Sequence, residues 1–338
     1  MAEDATDRTS GGSEGSDRTE GASSGRSVSS EREDGRSTGI RRAPGATTPS
    51  KGTSELNPSS RSLPVAPETS AATARYGERT ETDTDNEECG RVSLVGAGPG
   101  HPDLLTRRAW KRLTEADVVL YDSLTSDAVL DELPSEVDVI DVGKRPPNRT
   151  SQAEIDELLS ERARHGERVV RLKCGDPGVF GRGGEEAEHL AAEGIAFEIV
   201  PGVSSVLAAS GTSAIPLTHR EHASSMTVVT GHETPEKEGS ALNWSALADT
   251  ITAGGTLVIL MGVARLAENV RALREYGVGA ETPAATVQKA TWHDQQTVVA
   301  DLETIVERNR AAEVEPPAIT IVGDVVSVRD AVETHLLR

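Results

Sequence analysis

Residues 168–186 read RVVRLKCGDPGVFGRGGEE, and this stretch decides the fold class. Its beginning is typical of a buried β-strand, because Val169, Val170 and Leu172 are apolar and favour extended backbone. The six residues 175–180 favour neither a helix nor a strand, and the two glutamates at the end of the stretch open a helix. A strand, a Gly/Asp/Pro turn and a helix in this order predict an α/β sheet whose carboxyl edge binds a ligand.

The first 88 residues have the composition of a disordered segment. They contain only seven large apolar or aromatic side chains, and most of the rest are Ser, Thr, Gly, Glu, Asp and Arg. Such a segment cannot bury enough apolar surface to offset the entropy lost on ordering. We therefore expect a disordered acidic tail at 1–88, which has neither a secretory nor a typical transit signal. Two α/β lobes, at 89–216 and 217–338, are expected to follow it.

The charge of the chain excludes several classes of partner. The formal net charge is −20, with six lysines against 29 arginines. A surface this acidic repels nucleic-acid phosphates and anionic lipids, so we expect no nucleic-acid or membrane partner. Many acidic residues with few lysines favour a salt-adapted cytoplasmic protein. An ordinary acidic cytosolic protein is the alternative interpretation. Two cysteines allow neither a disulfide framework nor a CxxC metal site, and we expect no metal.

Short apolar runs alternate with amphipathic stretches from Arg91 to the end of the chain. In the first lobe this alternation predicts a largely parallel sheet, with helices capped by Asp103 and Ser151. After Pro216 the pattern of strands and helices changes, which predicts a second and more mixed α/β lobe, with a hinge at 217–223. The ten predicted strands are 92–95, 118–121, 137–142, 169–172, 197–200, 226–230, 256–261, 284–287, 297–299 and 319–322.

The turn after the first strand, residues 96–100, reads GAGPG. It is not a dinucleotide fingerprint, because GxGxxG would need a glycine where this chain has His101, and Pro99 offers no amide to a phosphate. Its three glycines would let a ligand approach the backbone closely, although a plain turn before a helix would look the same. In the same way, Ser204 and Ser205 at the start of a helix either cap it or also contact a ligand.

Two charged residues follow the second and third strands and are expected at the same sheet edge. Asp122 and Lys144 could act there as a base and an acid, or form a surface ion pair of little consequence. Arg145, Arg149 and Arg220 are cations in loops of an acidic protein, which favours a site for a small polyanion.

Taken together, these motifs resemble the tetrapyrrole methylase family from about residue 91 to the end of the chain, and within it the uroporphyrinogen-III C-methyltransferases. Gly-Lys-Arg at 143–145, Phe-Gly-Arg-Gly-Gly-Glu-Glu at 180–186 and Pro-Leu-Thr-His-Arg at 216–220 carry the resemblance. It implies a homodimer of two-lobed chains with S-adenosyl-L-methionine in the cleft between the lobes. It also implies that uroporphyrinogen III is methylated twice to give precorrin-2, the branch point toward sirohaem and cobalamin. We expect this chain to stop at precorrin-2.

The resemblance also implies roles for single residues. Asp122 matches the proton acceptor and Lys144 the proton donor, and we expect Arg145, Arg149 and Arg220 to hold the substrate carboxylates. The residues that match cofactor contacts are Pro99, Cys174, Gly175, Asp176, Val179, Ser204, Ser205, Met261 and Ala290.

The chain departs from the family pattern at three positions: Cys174 and Ala290 stand where glycine is usual, and His101 where an acidic residue is usual. A Cys174 side chain that pointed into the cleft would affect cofactor affinity. Three alternatives stay open: a later precorrin methylase, a diphthine synthase, and a non-catalytic tetrapyrrole or cofactor carrier with the same fold.

Overall fold

The structure is a computed structural model that describes residues 90–143, 150–235 and 240–336. The predicted disordered tail lies outside the described residues, and so do Lys144, Arg145 and Arg149. No helix in the part that the structure describes is long and apolar enough to cross a membrane.

The first sheet is parallel, as predicted, and has the strand order β3-β2-β4-β1-β5. Its strands are β1 (Arg91–Gly96), β2 (Val118–Tyr121), β3 (Asp138–Asp141), β4 (Arg168–Lys173) and β5 (Phe197–Val200). Because all five run in one direction, the turns that follow them lie along one edge of the sheet.

Helices cover both faces of this sheet. They are α1 (Arg107–Thr114), α2 (Asp127–Leu130), α3 (Gln152–Arg164) and α4 (Gly183–Ala192). Val92 and Leu94 of β1 face a core shared with α3 and α4, whereas Val95 faces a core shared with α1 and α2. This three-layer arrangement buries the three inner strands on both faces, as parallel sheets require, while the edge strands β3 and β5 stay partly exposed.

One predicted helix start is confirmed and one is wrong. Ser151 caps α3, and its hydroxyl and Glu154 form a reciprocal capping box. Asp103 does not cap α1, because it lies inside a short 3₁₀ turn, Pro102–Leu104, whose cap is His101. The cap of α1 is Thr106, whose hydroxyl accepts from the amide of Ala109 at 3.1 Å. The helix therefore begins four residues after Asp103.

The second sheet is mixed, as predicted, with the strand order β6-β7-β10-β8-β9. Its strands are β6 (Met226–Thr230), β7 (Thr256–Leu260), β8 (Pro283–Gln288), β9 (Gln296–Asp301) and β10 (Ala318–Val322). The helices of this half are α5 (Ser205–Ser213), α6 (Trp244–Thr252), α7 (Leu266–Glu275), α8 (Ile305–Ala311) and α9 (Val328–Val332). Strand β10 is antiparallel to both β7 and β8, so β7 and β8 are parallel to each other.

Helix α5 connects the two halves. Its residues Val206 and Ala209 are buried in the core of the second sheet, together with Val258 and Ile321. The lobe boundary at residue 216 stays a prediction, and the packing adds that α5, which precedes it, is buried against the second sheet.

Candidate active site

Three turns meet at the carboxyl edge of the first sheet, and glycines make this possible. The amide of Gly175 donates to the carbonyl of Gly98 at 2.7 Å, and the amide of Gly98 donates back at 3.2 Å. A Cβ on Gly96 would lie 2.5 Å from the backbone of Gly202, and a Cβ on Gly202 would lie 2.1 Å from the carbonyl oxygen of Gly175. The turns after β1, β4 and β5 are therefore in backbone contact.

Asp176 fastens two of these turns. One carboxylate oxygen accepts from the amide of Gly178 at 2.8 Å, and the other accepts from the amide of Gly202 at 3.0 Å. The carboxylate thus binds backbone amides of two different turns. Its role in holding a cofactor stays a prediction.

Asp122 lies at the same edge, directly after β2, and is held from inside the sheet. The guanidinium of Arg171, on the neighbouring strand β4, donates to Asp122 Oδ1. Arg171 is only 2% exposed and also donates to the carbonyls of Leu120 and Leu172, at 3.3 and 3.1 Å. A cation fixed by two main-chain acceptors orients the Asp122 carboxylate.

A buried glutamate supports this pair. Glu186 of α4 is fully buried, and its Oε1 accepts from Arg171 Nε at 3.1 Å and from Lys173 Nζ at 2.8 Å. Burial lowers the pKa of Lys173, as does the charge of Arg171, while the charges of Glu186 and Asp122 oppose this shift. Arg171, Lys173, Glu186 and Asp122 form one ionic network that reaches from the core to the sheet edge.

Cys174 follows Lys173 and is a free thiol. Burial raises its pKa to about 11, and the charge of Asp122 contributes in the same direction. The side chain is therefore a neutral thiol across the physiological pH range.

The second sheet contributes a matching edge. Met261 follows β7 and Ala290 follows β8 after one intervening residue. Leu260 pairs with Ile319 and Gln288 pairs with Ala318, so the carboxyl ends of β7 and β8 flank the start of β10. Met261 is 51% exposed, whereas Ala290 is buried.

The two edges touch each other through the turn after β8. The indole N–H of Trp292 donates to the carbonyl of Pro99 at 2.9 Å, and the amide of His101 donates to Thr291 Oγ1 at 3.2 Å. Ala290 precedes both contact residues, so this predicted cofactor residue of the second half is brought beside the glycine turn of the first half.

Backbone strain concentrates in these turns. Of the seven non-glycine residues with positive φ in the described ranges, five belong to turns after β4, β7 and β8. A left-handed non-glycine residue costs about 1–3 kcal/mol and is retained where the surroundings or the function require it. The five are Phe180, Arg182, Met261, Lys289 and Thr291.

The remaining predicted residues have simpler surroundings. Ser204 is the N-cap of α5, with its hydroxyl accepting from the amide of Val206 at 3.4 Å, and Ser205 is the first residue of the helix. Val179 is 38% exposed in the turn after β4. Arg220 is exposed on the 217–223 loop, where His219 and Ala223 form a short antiparallel bridge. The proton-donor prediction for Lys144 lies outside the described residues.

Arg171, Lys173 and Glu186 belong to the site but were not predicted from the sequence. One signal was present, because Arg171 and Lys173 alternate with apolar residues of a buried strand and need a buried anion, and Glu186 opens the next helix. No group of three or more His, Cys, Asp or Glu side chains within the described ranges could hold a metal ion.

Comparisons with known proteins give one consistent result. Residues 91–306 match the family described as Tetrapyrrole (Corrin/Porphyrin) Methylases. The chain is 48% identical over 242 residues to the S-adenosyl-L-methionine-dependent uroporphyrinogen III methyltransferase of Methanosarcina barkeri, which covers 71% of this chain and 94% of that relative. It is 46% identical over 243 residues to the siroheme synthase of Ectopseudomonas mendocina, covering 71% of this chain and 51% of the relative. The chain therefore spans about half the length of that synthase.

A solved structure shares the fold as well as the sequence. The uroporphyrin-III C-methyl transferase of Thermus thermophilus, complexed with S-adenyl homocysteine, superposes with a TM-score of 0.61 at 43% identity. The match covers 71% of this chain and 100% of that one.

Proposed function

The chain belongs to the tetrapyrrole (corrin/porphyrin) methylases, and we propose that the edge where its two sheets meet is the active site of a uroporphyrinogen-III C-methyltransferase. The enzyme is S-adenosylmethionine-dependent and transfers methyl groups to carbon. One observation carries the assignment to this edge: the turns after β1, β4 and β5 join there, beside an Asp122 carboxylate held by buried Arg171.

The residues at this edge fit S-adenosylmethionine. Glycines at 96, 175 and 202 pack backbone against backbone, so three turns converge at this edge with no side chain between them. On the other side, Met261 offers an exposed thioether and Ala290 a small side chain. We assign the cofactor contacts to Pro99, Cys174, Gly175, Asp176, Val179, Ser204, Ser205, Met261 and Ala290.

S-adenosylmethionine supplies the methyl group together with its own leaving group, so no nucleophilic residue or metal is required. The protein must orient an electron-rich pyrrole carbon, which bears no hydrogen, and accept the proton that the methylated ring system then loses elsewhere. Positioning can supply several kcal/mol of the barrier. We assign proton acceptance to Asp122, whose carboxylate Arg171 holds in one orientation. Lys144 is assigned as the proton donor. General acid–base help of this kind contributes about 10²- to 10⁴-fold.

The substrate explains cations in an acidic protein. Uroporphyrinogen III carries eight carboxylates, and arginine binds carboxylates in a bidentate manner. Arg220 is exposed and makes no ion pair with a described residue, so its guanidinium is free to bind a substrate carboxylate. Together with Arg145 and Arg149, we assign it to substrate binding. Arg220→Ala should raise KM for uroporphyrinogen III more than KM for S-adenosylmethionine, and equal increases would contradict the assignment.

The product is assigned as precorrin-2, which serves sirohaem and cobalamin synthesis. We place the enzyme in the cytoplasm, as a homodimer without nucleic-acid or membrane partners. The free thiol of Cys174 suits a reducing compartment. Light scattering of the purified protein should give twice the chain mass of 35.6 kDa, and a monomer would overturn the dimer assignment.

The net charge of −20 supports adaptation to concentrated salt. Salt screens repulsion between surface carboxylates, with a Debye length of about 3 Å at 1 M against about 10 Å at 0.1 M. We expect the melting temperature to rise between 0.1 and 2 M potassium chloride, and an unchanged or falling value would refute the adaptation.

An anaerobic assay with uroporphyrinogen III tests the function directly. Purified protein in concentrated potassium chloride receives the substrate and S-adenosylmethionine, and mass spectrometry of the product counts the added methyl groups. Two methyl groups are expected. Unchanged substrate beside measurable S-adenosylhomocysteine binding would favour a later precorrin methylase or a diphthine synthase. Folded protein that neither turns over nor binds would favour a carrier.

A further inference from the structure

The segment Lys289–Gln295, which connects β8 to β9, is a tightly organised turn. The amide of Trp292 donates to the carbonyl of Lys289 at 2.9 Å, and the side chain of Gln295 accepts from the amide of Thr291 at 2.8 Å. Within the same turn, Lys289 also forms an ion pair with Asp294. With positive φ at Lys289 and Thr291, the β8–β9 turn holds one defined shape.

This turn makes two hydrogen bonds to the loop that follows β1. Besides the bond from the Trp292 indole to the carbonyl of Pro99, the amide of His101 reaches Thr291 Oγ1. Between these two residues, a Cβ on Gly100 would lie 2.1 Å from Trp292 Nε1, so the indole occupies the space that the missing side chain leaves. Glycine at 100 and tryptophan at 292 are complementary in shape.

The same turn also reaches α5. The side-chain amide of Gln295 donates to the carbonyl of Thr212 at 3.3 Å, one residue before the end of the helix. At the other end of α5, Ser204 and Ser205 adjoin Gly175. The β8–β9 turn therefore touches two of the elements to which cofactor contacts are assigned, and Ala290 belongs to the turn itself.

We propose that Trp292 is a positioning residue for the cofactor: its indole joins the Pro99–His101 loop of the first lobe to the turn that carries Ala290 in the second. This inference rests on the proposed function. Without the indole bond, the bond from His101 to Thr291 still joins the two loops, but they are held less tightly, and part of the cofactor's binding energy is spent on fixing their positions. The loss of one neutral hydrogen bond corresponds to about a fivefold change in affinity.

The test compares Trp292→Phe, which keeps an aromatic ring but removes the N–H, with Trp110→Phe as the matched control. Trp110 is 37% exposed on α1. Thr291→Val removes the second bond without touching the tryptophan. Calorimetry measures the Kd for S-adenosylhomocysteine, and steady-state kinetics measures KM for each substrate. Hydrogen exchange of the unliganded protein measures protection in peptides that cover residues 97–105, and thermal denaturation checks folding.

We expect Trp292→Phe to weaken S-adenosylhomocysteine binding about five- to tenfold and Thr291→Val by about two- to fivefold. KM for S-adenosylmethionine should rise while KM for uroporphyrinogen III stays within twofold, and exchange should quicken at residues 97–105 only. Binding equal to that of Trp110→Phe in both variants overturns the proposal. A rise in both KM values with faster exchange throughout the chain also overturns it, since that would show a merely structural role. Wild-type protein that does not bind S-adenosylhomocysteine would refute the proposed function itself.

Discussion

Arg171 holds Asp122 from within the first sheet, so the predicted proton acceptor of the site is oriented by a residue that has almost no contact with solvent. The same guanidinium also donates to the carbonyls of Leu120 and Leu172 and to Glu186, and these bonds fix its position beside Asp122. Breaking a buried ion pair by removing one partner costs about 3–5 kcal/mol, because the other charge is left uncompensated. The orientation of Asp122 and the stability of the first sheet therefore depend on the same arginine.

Asp122→Asn should lower kcat by about 10²- to 10⁴-fold, because the amide keeps the shape of the carboxylate but cannot accept the proton. The Kd for S-adenosylhomocysteine should stay within twofold. Single-turnover kinetics under anaerobic conditions would measure the methylation step itself. A variant that keeps kcat within twofold of the wild type would show that Asp122 is not the proton acceptor.

Arg171→Lys should lower both kcat and stability, because lysine retains the charge but cannot contact two carbonyls and two carboxylates at once. We expect the free energy of unfolding, measured in urea, to fall by about 1–3 kcal/mol, because acceptors that Arg171 now satisfies would be left without a donor. If kcat fell without any loss of stability, the orientation of Asp122 would not depend on the same contacts as the stability of the fold. That result would contradict a single network in which Arg171 serves both roles.

Gly202→Ala should disrupt the site through sterics alone. The added Cβ would lie 2.1 Å from the carbonyl oxygen of Gly175 and 2.7 Å from the Cα of Gly96, so two turns must move apart. We expect a loss of about 1–3 kcal/mol in the free energy of unfolding, as for overpacked positions, together with weaker S-adenosylhomocysteine binding.

Gly211→Ala is the matched control for this substitution. Gly211 lies inside α5, and a Cβ there would meet nothing within 4 Å. Alanine should therefore stabilise the helix by about 0.5–1 kcal/mol. Equal effects of the two substitutions in urea unfolding would mean that the three turns are not in contact as described.

Much of the fold follows from local pattern. The strands 118–121, 197–200 and 226–230 were predicted with the bounds that the structure has, because each is a short apolar or β-branched run between polar residues or turns. The start of α1 could not be predicted in the same way. Asp103 and Thr106 are both good N-cap residues, and the choice depends on the 3₁₀ turn Pro102–Leu104 between them.

The contacts that assemble the site depend on tertiary structure. Asp122 and Arg171 are 49 residues apart in the chain, and Pro99 and Trp292 are 193 apart. A single sequence shows that glycine turns and charges follow the strands, which is why Asp122 and Gly175 were predicted at one edge. It does not show that Trp292 fills the space above Gly100, because that depends on how the second half docks.

Glu198 should give the first sheet a pH-dependent stability. Burial raises the pKa of this carboxyl, but hydrogen bonds from Arg112, Arg108 and Ser93 outweigh burial, so the net pKa lies below the ordinary 4.5. The folded state thus favours the carboxylate, and its contribution is present above about pH 4.5 and lost as the pH falls through the lower folded value.

Glu198→Gln should therefore cost about 1–3 kcal/mol in the free energy of unfolding at pH 7, as for hydrogen bonds to a charged group. The difference from the wild type should shrink as the pH falls below the ordinary pKa of 4.5. Urea unfolding at a series of pH values measures this difference, and one that is constant or grows toward acid would contradict the lowered pKa.

Cys174 should react slowly with alkylating reagents in the folded protein. With a pKa of about 11 instead of 9.0, only about one thiol in a thousand is ionised at pH 8, against about one in ten for an unperturbed group. In a Cys89→Ser background, iodoacetamide labelling followed by mass spectrometry should be slow at pH 8 and should quicken as the pH approaches 11. The same protein in guanidinium chloride should be labelled readily, because unfolding removes the burial that raises the pKa.

Adding Asp122→Asn should speed labelling of Cys174 in the folded protein, since the charge of Asp122 contributes to the shift in pKa. Equal rates for folded and unfolded protein at pH 8 would contradict the raised pKa of Cys174.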